Sequence, residues 1–270
     1  MRLSHAARSV FPRMKPILAS GRWVFAFAIL ALGAENILCA RVSMPTLGPG
    51  SHCIPVLPFI PAVPWLAILF GLIWVACAIG LLTRRWLRVS AFTVGLTYIA
   101  WTLVHVLPAY IASPGDMGLR TVVFEPLSIA CIALLLPAIP QWLSRACHIV
   151  VAVAMVVFGV DHFLALAGIG SLLPDWIPWH IFWIAIFGAV FVLCGLGIGL
   201  GIFERWSWIG IGLMFALWVF TLHMPRTFGF YSIPGATADP DEWSSLFIAI
   251  ALWGGPLALA RTKTSFTVAM

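Results

Sequence analysis

Charged residues are scarce in this chain: Asp, Glu, Lys and Arg together make up 9% of its 270 residues. Soluble globular domains carry about 25% charged residues, so the shortage excludes an ordinary soluble domain. Hydrophobic residues make up 62%, which also excludes a disordered chain, because disorder requires low hydrophobicity and high charge. The composition predicts a polytopic membrane protein.

Motifs for electron transfer and phosphate binding are also missing. The six cysteines form no Cys-x-x-Cys pair, and no heme pair, flavin motif or iron–sulfur spacing is present, which argues against an autonomous electron carrier. Cys77, Cys131 and Cys194 lie in apolar runs, where buried cysteine usually acts as a small hydrophobe. The alternating glycines between Gly195 and Gly201 follow no strand, so they indicate close helix packing and not a phosphate loop.

Long apolar runs define the fold class, because a helix needs about 20 apolar residues to cross a bilayer. We expect an all-α protein with eight spans, at about 22–40, 64–82, 87–108, 121–139, 146–167, 179–201, 206–223 and 243–260. The first run is longer than the apolar core of a signal peptide and contains Glu35, so it is expected to be a span of the mature protein.

Basic residues set the expected orientation, since they are retained on the cytoplasmic side. With the N-terminus inside, only Arg41, Arg120 and Arg226 of the 15 Lys and Arg residues fall outside. We therefore expect a bacterial inner-membrane protein with both termini cytoplasmic. This bias also accounts for the net charge of +6, so no nucleic-acid partner is required.

The two halves of the chain resemble each other. At an offset of 117 residues the matches are Phe70-Gly71 with Phe187-Gly188, Trp101 with Trp218, Pro108 with Pro225 and Glu125 with Glu242. Nearer the start of each half the offset is 126, and Gly33-Ala34-Glu35-Asn36 matches Gly159-Val160-Asp161-His162. Four spans per half give both halves the same direction, so we expect two parallel four-helix repeats. The predicted units are a cytoplasmic segment at 1–21, repeats at 22–140 and 141–262, and a cytoplasmic tail at 263–270.

The second half carries a recognisable series of motifs. It contains Gly159-Val160-Asp161-His162-Phe163, a turn Pro174-Asp175-Trp176-Ile177-Pro178-Trp179, a glycine-rich helix around Gly195, and a helix ending His223-Met224-Pro225. This series resembles the DoxX-like family of four-helix membrane proteins over about 150–260. The first half resembles it more weakly, with Pro61, Pro64 and Trp65 near the turn and Asn36 in place of His162. The chain is therefore similar to two fused DoxX-like units.

The resemblance implies fold more than function. Some relatives, the DoxD-type subunits, are associated with thiosulfate oxidation coupled to quinone. On this basis the chain is expected to be a quinone-linked redox subunit, with quinone as cofactor and a periplasmic redox partner. The alternative is a non-enzymatic protein that binds a small molecule or lipid, a transporter, or an assembly factor. The sequence leaves open which of these applies and whether the chain is catalytic.

Ionisable residues inside spans are costly and therefore mark candidate sites. We expect Asp161, His162, His223 and Glu242 to converge in a pocket near the outer surface of the second half, with His223 as the partner of Asp161. The first half supplies Glu35, His105 and Glu125 at matching depths.

Three interpretations of these residues stay open. In the first, they pair with one another and hold the helices of the bundle together. In the second, they bind a quinone head group or relay its proton, with Phe163, Trp179 and Trp218 covering the ring. In the third, they bind a metal. No His-x-x-x-His spacing supports a metal site, and none is predicted. Separately, Cys39 and Cys53 lie at the outer face in the expected topology and can form a disulfide in an oxidising periplasm; the sequence does not fix their distance.

Overall fold

The computed structural model describes residues 5–42, 64–83, 85–229 and 242–261, and this part of the chain is helical apart from short connections. Its helices are α1 (His5–Val42), α2 (Pro64–Leu82), α3 (Leu87–Trp101), α4 (Leu107–Ala112), α5 (Met117–Leu135), α6 (Gln141–Leu164), α7 (Leu166–Gly170), α8 (His180–Gly199), α9 (Glu204–Trp218), α10 (Met224–Thr227) and α11 (Glu242–Leu259). The predicted all-α fold is thus confirmed for the described residues.

Seven helical segments in this described part are long and apolar enough to cross a membrane: Ser20–Leu38, Leu87–Ala112, Met117–Leu135, Gln141–Leu164, His180–Gly199, Glu204–Thr227 and Glu242–Leu259. The prediction of a membrane protein is therefore supported by the length and composition of its helices. The eighth predicted span, at 64–82, corresponds to α2, within which Ala67–Leu82 is a shorter apolar helix.

Several predicted boundaries differ from the observed helices by four residues or more, for example at the starts of α1, α5 and α6. The first span was expected to begin at residue 22, but α1 begins at His5, so most of the predicted N-terminal segment continues the same helix. The fourth span was expected at 121–139, but α5 begins at Met117. Asp116 caps α5 by accepting a hydrogen bond of 3.0 Å from the backbone N–H of Leu119, which is the usual role of aspartate at a helix start.

The packing order of the long helices follows the chain and then closes on itself. Each of α1, α2, α3, α5, α6, α8, α9 and α11 contacts the next, α11 returns to α1, and α5 and α11 also touch. The last helix of the first half, α5, packs on the first helix of the second half, α6, so α5 is a wall shared between the halves.

Glycine allows the closest helix contacts. A Cβ atom added at Gly71 of α2 would lie 2.5 Å from the carbonyl oxygen of Gly33 of α1, and one added at Gly159 of α6 would lie 2.6 Å from that of Gly188 of α8. Real Cβ atoms do not approach a backbone oxygen so closely, so these crossings require glycine. Both pairs consist of glycines that match between the two halves in the sequence.

Two of the membrane-length helices widen into π-helical turns, one after α3 at Thr102–Val106 and one after α9 at Val219–His223. A proline follows each turn, at Pro108 and Pro225. Proline lacks an N–H and its ring clashes with the carbonyl four residues earlier, and a wider turn accommodates both. Such turns are frequent at functional sites, and the second one carries His223.

Candidate ligand pocket

A cavity of about 300 Å³ opens between α5 of the first half and the helices of the second half, at the end of the bundle where α5 begins and α6 ends. We call this end the pocket end. The cavity lies between α5, α6, α8, α9 and the π-helical turn after α9, with one further residue from α7. It is lined by Met117, Gly118, Thr121, Glu125, Phe158, Asp161, His162, Ile169, Phe191, Phe215, Trp218, Leu222 and His223.

Aromatic rings form the deeper walls of the cavity. The ring centroids of Phe191 and Phe215 lie 5.5 Å apart, and Phe158 meets both at 6.2 and 6.5 Å in edge-to-face geometry. The imidazole of His162 lies 5.3 Å from the ring of Phe191 and 5.8 Å from that of Trp218. These separations are those of favourable aromatic pairs. The rings therefore pack against one another around the cavity and fix the position of its walls.

Asp161 is paired with an arginine from the first half. Its side chain lies on α6 with 4% of the residue exposed, and its two oxygens accept hydrogen bonds from Arg120 on α5. The Nε of Arg120 lies 3.2 Å from one oxygen, and its Nη2 binds the other. This two-point geometry suits arginine and carboxylate. The prediction that His223 is the partner of Asp161 is therefore wrong. Arg120 takes this role because α5, which carries it, packs directly on α6.

His162 presents a hydrogen-bond acceptor to the cavity. Its Nδ1 lies 2.7 Å from the carbonyl oxygen of Phe158, and because a carbonyl only accepts, Nδ1 must carry the hydrogen. Its Nε2 is buried and has no hydrogen-bond partner among the described residues. A charged ring would need a partner there too, so the imidazole is neutral and Nε2 offers a lone pair.

His223 contributes a second unpartnered nitrogen. It belongs to the π-helical turn after α9, and its Nδ1 is buried without a hydrogen-bond partner in the described part of the chain. Buried polar atoms in native proteins nearly always have a partner. Two such nitrogens on the wall of one cavity therefore point to a ligand or to ordered water that would satisfy them.

Glu125, which the sequence places in the first half at a matching depth, also lines this cavity. It lies on α5, one helix turn beyond Thr121. Within the described residues it forms no ion pair, because Arg120 is paired with Asp161 and Arg226 with Glu242. The cavity therefore contains a carboxyl group whose charge no described side chain neutralises.

Glu242 and Glu35 are not among the residues that line the cavity. Glu242, at the first turn of α11, pairs with Arg226 of α10. Glu35 of α1 accepts a hydrogen bond of 2.7 Å from the Oγ of Ser244, also on α11. Both acids hold α11 to its neighbours, so the expectation that Glu242 joins the pocket is wrong. The Arg226–Glu242 ion pair links α10 to α11, and neither of these helices contributes a residue to the wall of the cavity.

The remaining predicted residues divide between the surface and the cavity. Phe163 and Trp179 are 45% and 76% exposed and do not line the cavity, whereas Trp218 does. Phe163 points away because it follows His162 by one residue, a rotation of about 100° around the helix. Trp179 lines an open surface depression beside α7. The side chains of His105 and Cys39, and all of Cys53, lie outside the described residues.

Sequence reasoning missed Arg120, Thr121, Phe191 and Phe215. A buried acid requires a donor at the same depth, and Arg120 and Asp161 both fall at the outer end in the expected topology, so that pairing had a signal. Phe191 and Phe215 had none, because α8 and α9 are apolar on all sides and hydropathy does not reveal which face is inward.

A second buried polar cluster lies at the opposite end of the bundle. The Nε2 of His148 on α6 lies 2.8 Å from a carboxyl oxygen of Glu204 at the start of α9, and the Nε1 of Trp208 donates to the same oxygen at 3.2 Å. The Nδ1 of His148 lies 2.7 Å from the carbonyl oxygen of Ser144. Both imidazole nitrogens therefore face acceptors, so the His148–Glu204 pair shares a proton. This cluster joins α6 to α9.

No group of three or more His, Cys, Asp or Glu side chains that could hold a metal ion occurs among the described residues. Cys77, Cys131, Cys147 and Cys194 are buried free thiols. Comparison with models of protein families, with curated proteins and with solved structures finds no match.

Proposed function

We propose that this chain is a quinone-linked subunit of the DoxX-like type, which binds the ring head group of a membrane-soluble quinone in the cavity. The observation that carries this proposal is the pair of buried nitrogens, on His162 and His223, that have no partner in the described residues. They face a cavity with aromatic walls. A ring with oxygen substituents satisfies both features, because its faces contact the walls and a ring hydroxyl can donate to an imidazole nitrogen.

The size of the cavity supports a head group of one ring. Ligand pockets measure roughly 300–1,000 Å³, and a volume of about 300 Å³ is at the lower limit. His162 and His223 would lie beside the ring oxygens, with Phe191 and Trp218 against the ring. A bound quinone would supply two-electron redox chemistry, and the chain's own side chains would bind, orient and exclude water from it.

Binding to purified protein in lipid nanodiscs tests this proposal. A short-chain quinone is titrated calorimetrically against the wild-type protein and against Phe191→Trp, which fills the cavity. Tryptophan is compatible with this fold at such a position, since Trp74 of α2 aligns with Phe191. The matched control is Phe163→Trp, because Phe163 is exposed and near the same end. We expect Phe191→Trp to weaken binding at least about tenfold, the effect of one lost good contact, and the control to bind normally. If neither the quinone nor its hydroquinone bound to the wild-type protein, the proposal would be refuted.

A non-redox binding protein for a hydrophobic amine is the second candidate. The observation that favours it is Glu125, a carboxyl group without an ion-pair partner in the described residues, in a cavity walled by Phe158, Phe215 and Trp218. Aromatic faces and one carboxylate together attract organic cations. Tighter binding of an alkylammonium ion than of any quinone form, in the same titration, would favour this candidate.

We further propose that the chain has eight spans in two parallel four-helix repeats and that both termini are cytoplasmic. In support, α2 has 19 residues, about 28 Å of helix, close to the thickness of the hydrocarbon core. The matched glycine contacts and the two π-helical turns, at Thr102–Val106 and Val219–His223, support the repeat. The distribution of basic residues supports a bacterial inner membrane.

A periplasmic redox partner belongs to the same proposal. In the proposed orientation the pocket end faces the periplasm, so a soluble partner on that side has the shortest path to the cavity. Cross-linking from a photoreactive residue at exposed Trp176, beside the pocket end, tests this in cells. Capture of a periplasmic protein is expected, and cross-links only to membrane proteins would contradict it.

A further inference from the structure

The polar atoms that the cavity offers to a ligand are mainly acceptors. The hydrogen of His162 is committed to the carbonyl of Phe158 at 2.7 Å, so its Nε2 can only accept while the ring is neutral. Glu125 presents carboxyl oxygens, at least one of which accepts in either protonation state. Asp161, the third acid on the wall, already accepts two bonds from Arg120.

A second histidine on the same helix shows what His162 lacks. His148 lies 14 residues earlier on α6 and makes the same bond to the carbonyl four residues before it. Its Nε2, however, lies 2.8 Å from a carboxyl oxygen of Glu204, so this nitrogen has a hydrogen-bond partner. No carboxylate meets the Nε2 of His162 within the described residues. The two rings therefore share one anchor, but only the Nε2 of His162 is left for a ligand.

Few donors face the cavity to compensate for these acceptors. The guanidinium of Arg120 is used by Asp161, and the hydroxyl of Thr121 donates to the carbonyl of Met117 at 3.1 Å. The described residues of α8 that line the cavity contribute only the ring of Phe191. His223 can act as donor or acceptor, and the indole N–H of Trp218, which also lines the cavity, can donate. A ligand that only accepts would still leave the Nε2 of His162 without a hydrogen.

We infer that the pocket selects the hydrogen-bond-donating form of its ring ligand, so that it binds the hydroquinone in preference to the quinone. This inference rests on the proposed function and adds to it the oxidation state of the bound ligand. The two hydroxyl groups of a hydroquinone donate to the Nε2 of His162 and to Glu125, whereas the carbonyl groups of a quinone meet acceptors there.

The test compares three ligands of one ring size: a short-chain hydroquinone kept reduced without oxygen, the matching quinone, and the dimethyl ether of the hydroquinone. Calorimetric titration into nanodiscs gives each dissociation constant without requiring activity. We expect the hydroquinone to bind at least about tenfold more tightly than the other two, since one unsatisfied buried acceptor has about that effect. The ether keeps the ring shape but has no donor, which separates hydrogen bonding from fit.

Two substitutions connect this preference to the named atoms. His162→Phe removes the acceptor and should bring the three affinities together, while His180→Phe, at a histidine outside the cavity, should leave the preference unchanged. Glu125→Gln adds an amide donor and should shift the preference toward the quinone. Because it alters no ion pair of the described residues, it serves even where His162→Phe unfolds, and thermal unfolding identifies that case.

The outcomes separate the inference from the function on which it rests. Equal or tighter binding of the quinone, sensitive to Phe191→Trp, would overturn the inference and leave quinone binding intact. Binding of none of the three ligands would overturn the proposed function itself. An alkylammonium ion that binds more tightly than the hydroquinone would also overturn the inference, because charge and not hydroxyl donation would then select the ligand.

Discussion

Arg120→Leu is expected to destabilise the protein more than Asp161→Leu, although both break the same ion pair. The reason is an asymmetry of exposure. The side chain of Asp161 is 6% exposed and that of Arg120 is 22% exposed. Without Arg120, a carboxylate stays buried beside aromatic rings; without Asp161, the long guanidinium side chain can reach water.

The magnitude follows from the burial of the group left behind. Removing one partner of a buried ion pair costs about 3–5 kcal/mol, and the partial exposure of Arg120 places Arg120→Leu near the lower limit, about 3 kcal/mol. A guanidinium that can reach solvent costs less, so we expect about 1 kcal/mol for Asp161→Leu. The double variant should lie near Asp161→Leu, because no charge then remains buried.

Equilibrium unfolding in mixed micelles, with increasing SDS and tryptophan fluorescence as the signal, measures the free energy of unfolding of all four proteins. Arg85→Leu serves as the control, because Arg85 is exposed and forms no ion pair in the described residues. The reasoning would be refuted if Asp161→Leu were the more destabilising substitution. It would also be refuted if the double variant were as unstable as the sum of the two single variants.

The other predictions concern topology, the second polar cluster and the cysteines. A reporter that is active only in the periplasm is expected to be silent when it is fused at the C-terminal Met270. The same reporter is expected to be active when it is fused in the predicted outer loops, at Gly115 or Pro174. His148→Phe should destabilise the protein by about 2–3 kcal/mol, since it leaves Glu204 without its imidazole partner, whereas His180→Phe should change stability little; the same SDS titration compares them. If Cys39 and Cys53 are bridged, mass analysis without reduction finds their peptides linked, whereas alkylation of both thiols in oxidised protein excludes the bridge.

The sequence predicts the fold class well because the bilayer imposes length and hydropathy directly on each helix. It also indicates the depth of polar groups: Asp161, His162 and His223 were expected near one end, and the structure places all three on one cavity. Depth is recoverable from position within an apolar run, since each residue advances a helix by about 1.5 Å.

Lateral arrangement was not recoverable in the same way. Hydropathy says nothing about which helix closes a bundle when every face is apolar, so the sequence did not reveal that Glu125 of the first half shares a cavity with His162 and His223. Glu242 was assigned to the pocket for the same reason. The pairing of Arg120 with Asp161 was the one available clue, since a buried acid requires a donor at its own depth.

The packing of α5 on α6 and of α11 on α1 has a consequence for how the chain can be divided. The last helix of each half packs on the first helix of the other half. Two subunits of a domain-swapped dimer exchange a helix in a similar way, but here both helices belong to one polypeptide. A fragment that begins at Gln141 would contain both histidines of the cavity and none of its α5 wall. The ligand site thus lies at a boundary that only the undivided protein, or two halves reassembled, can form.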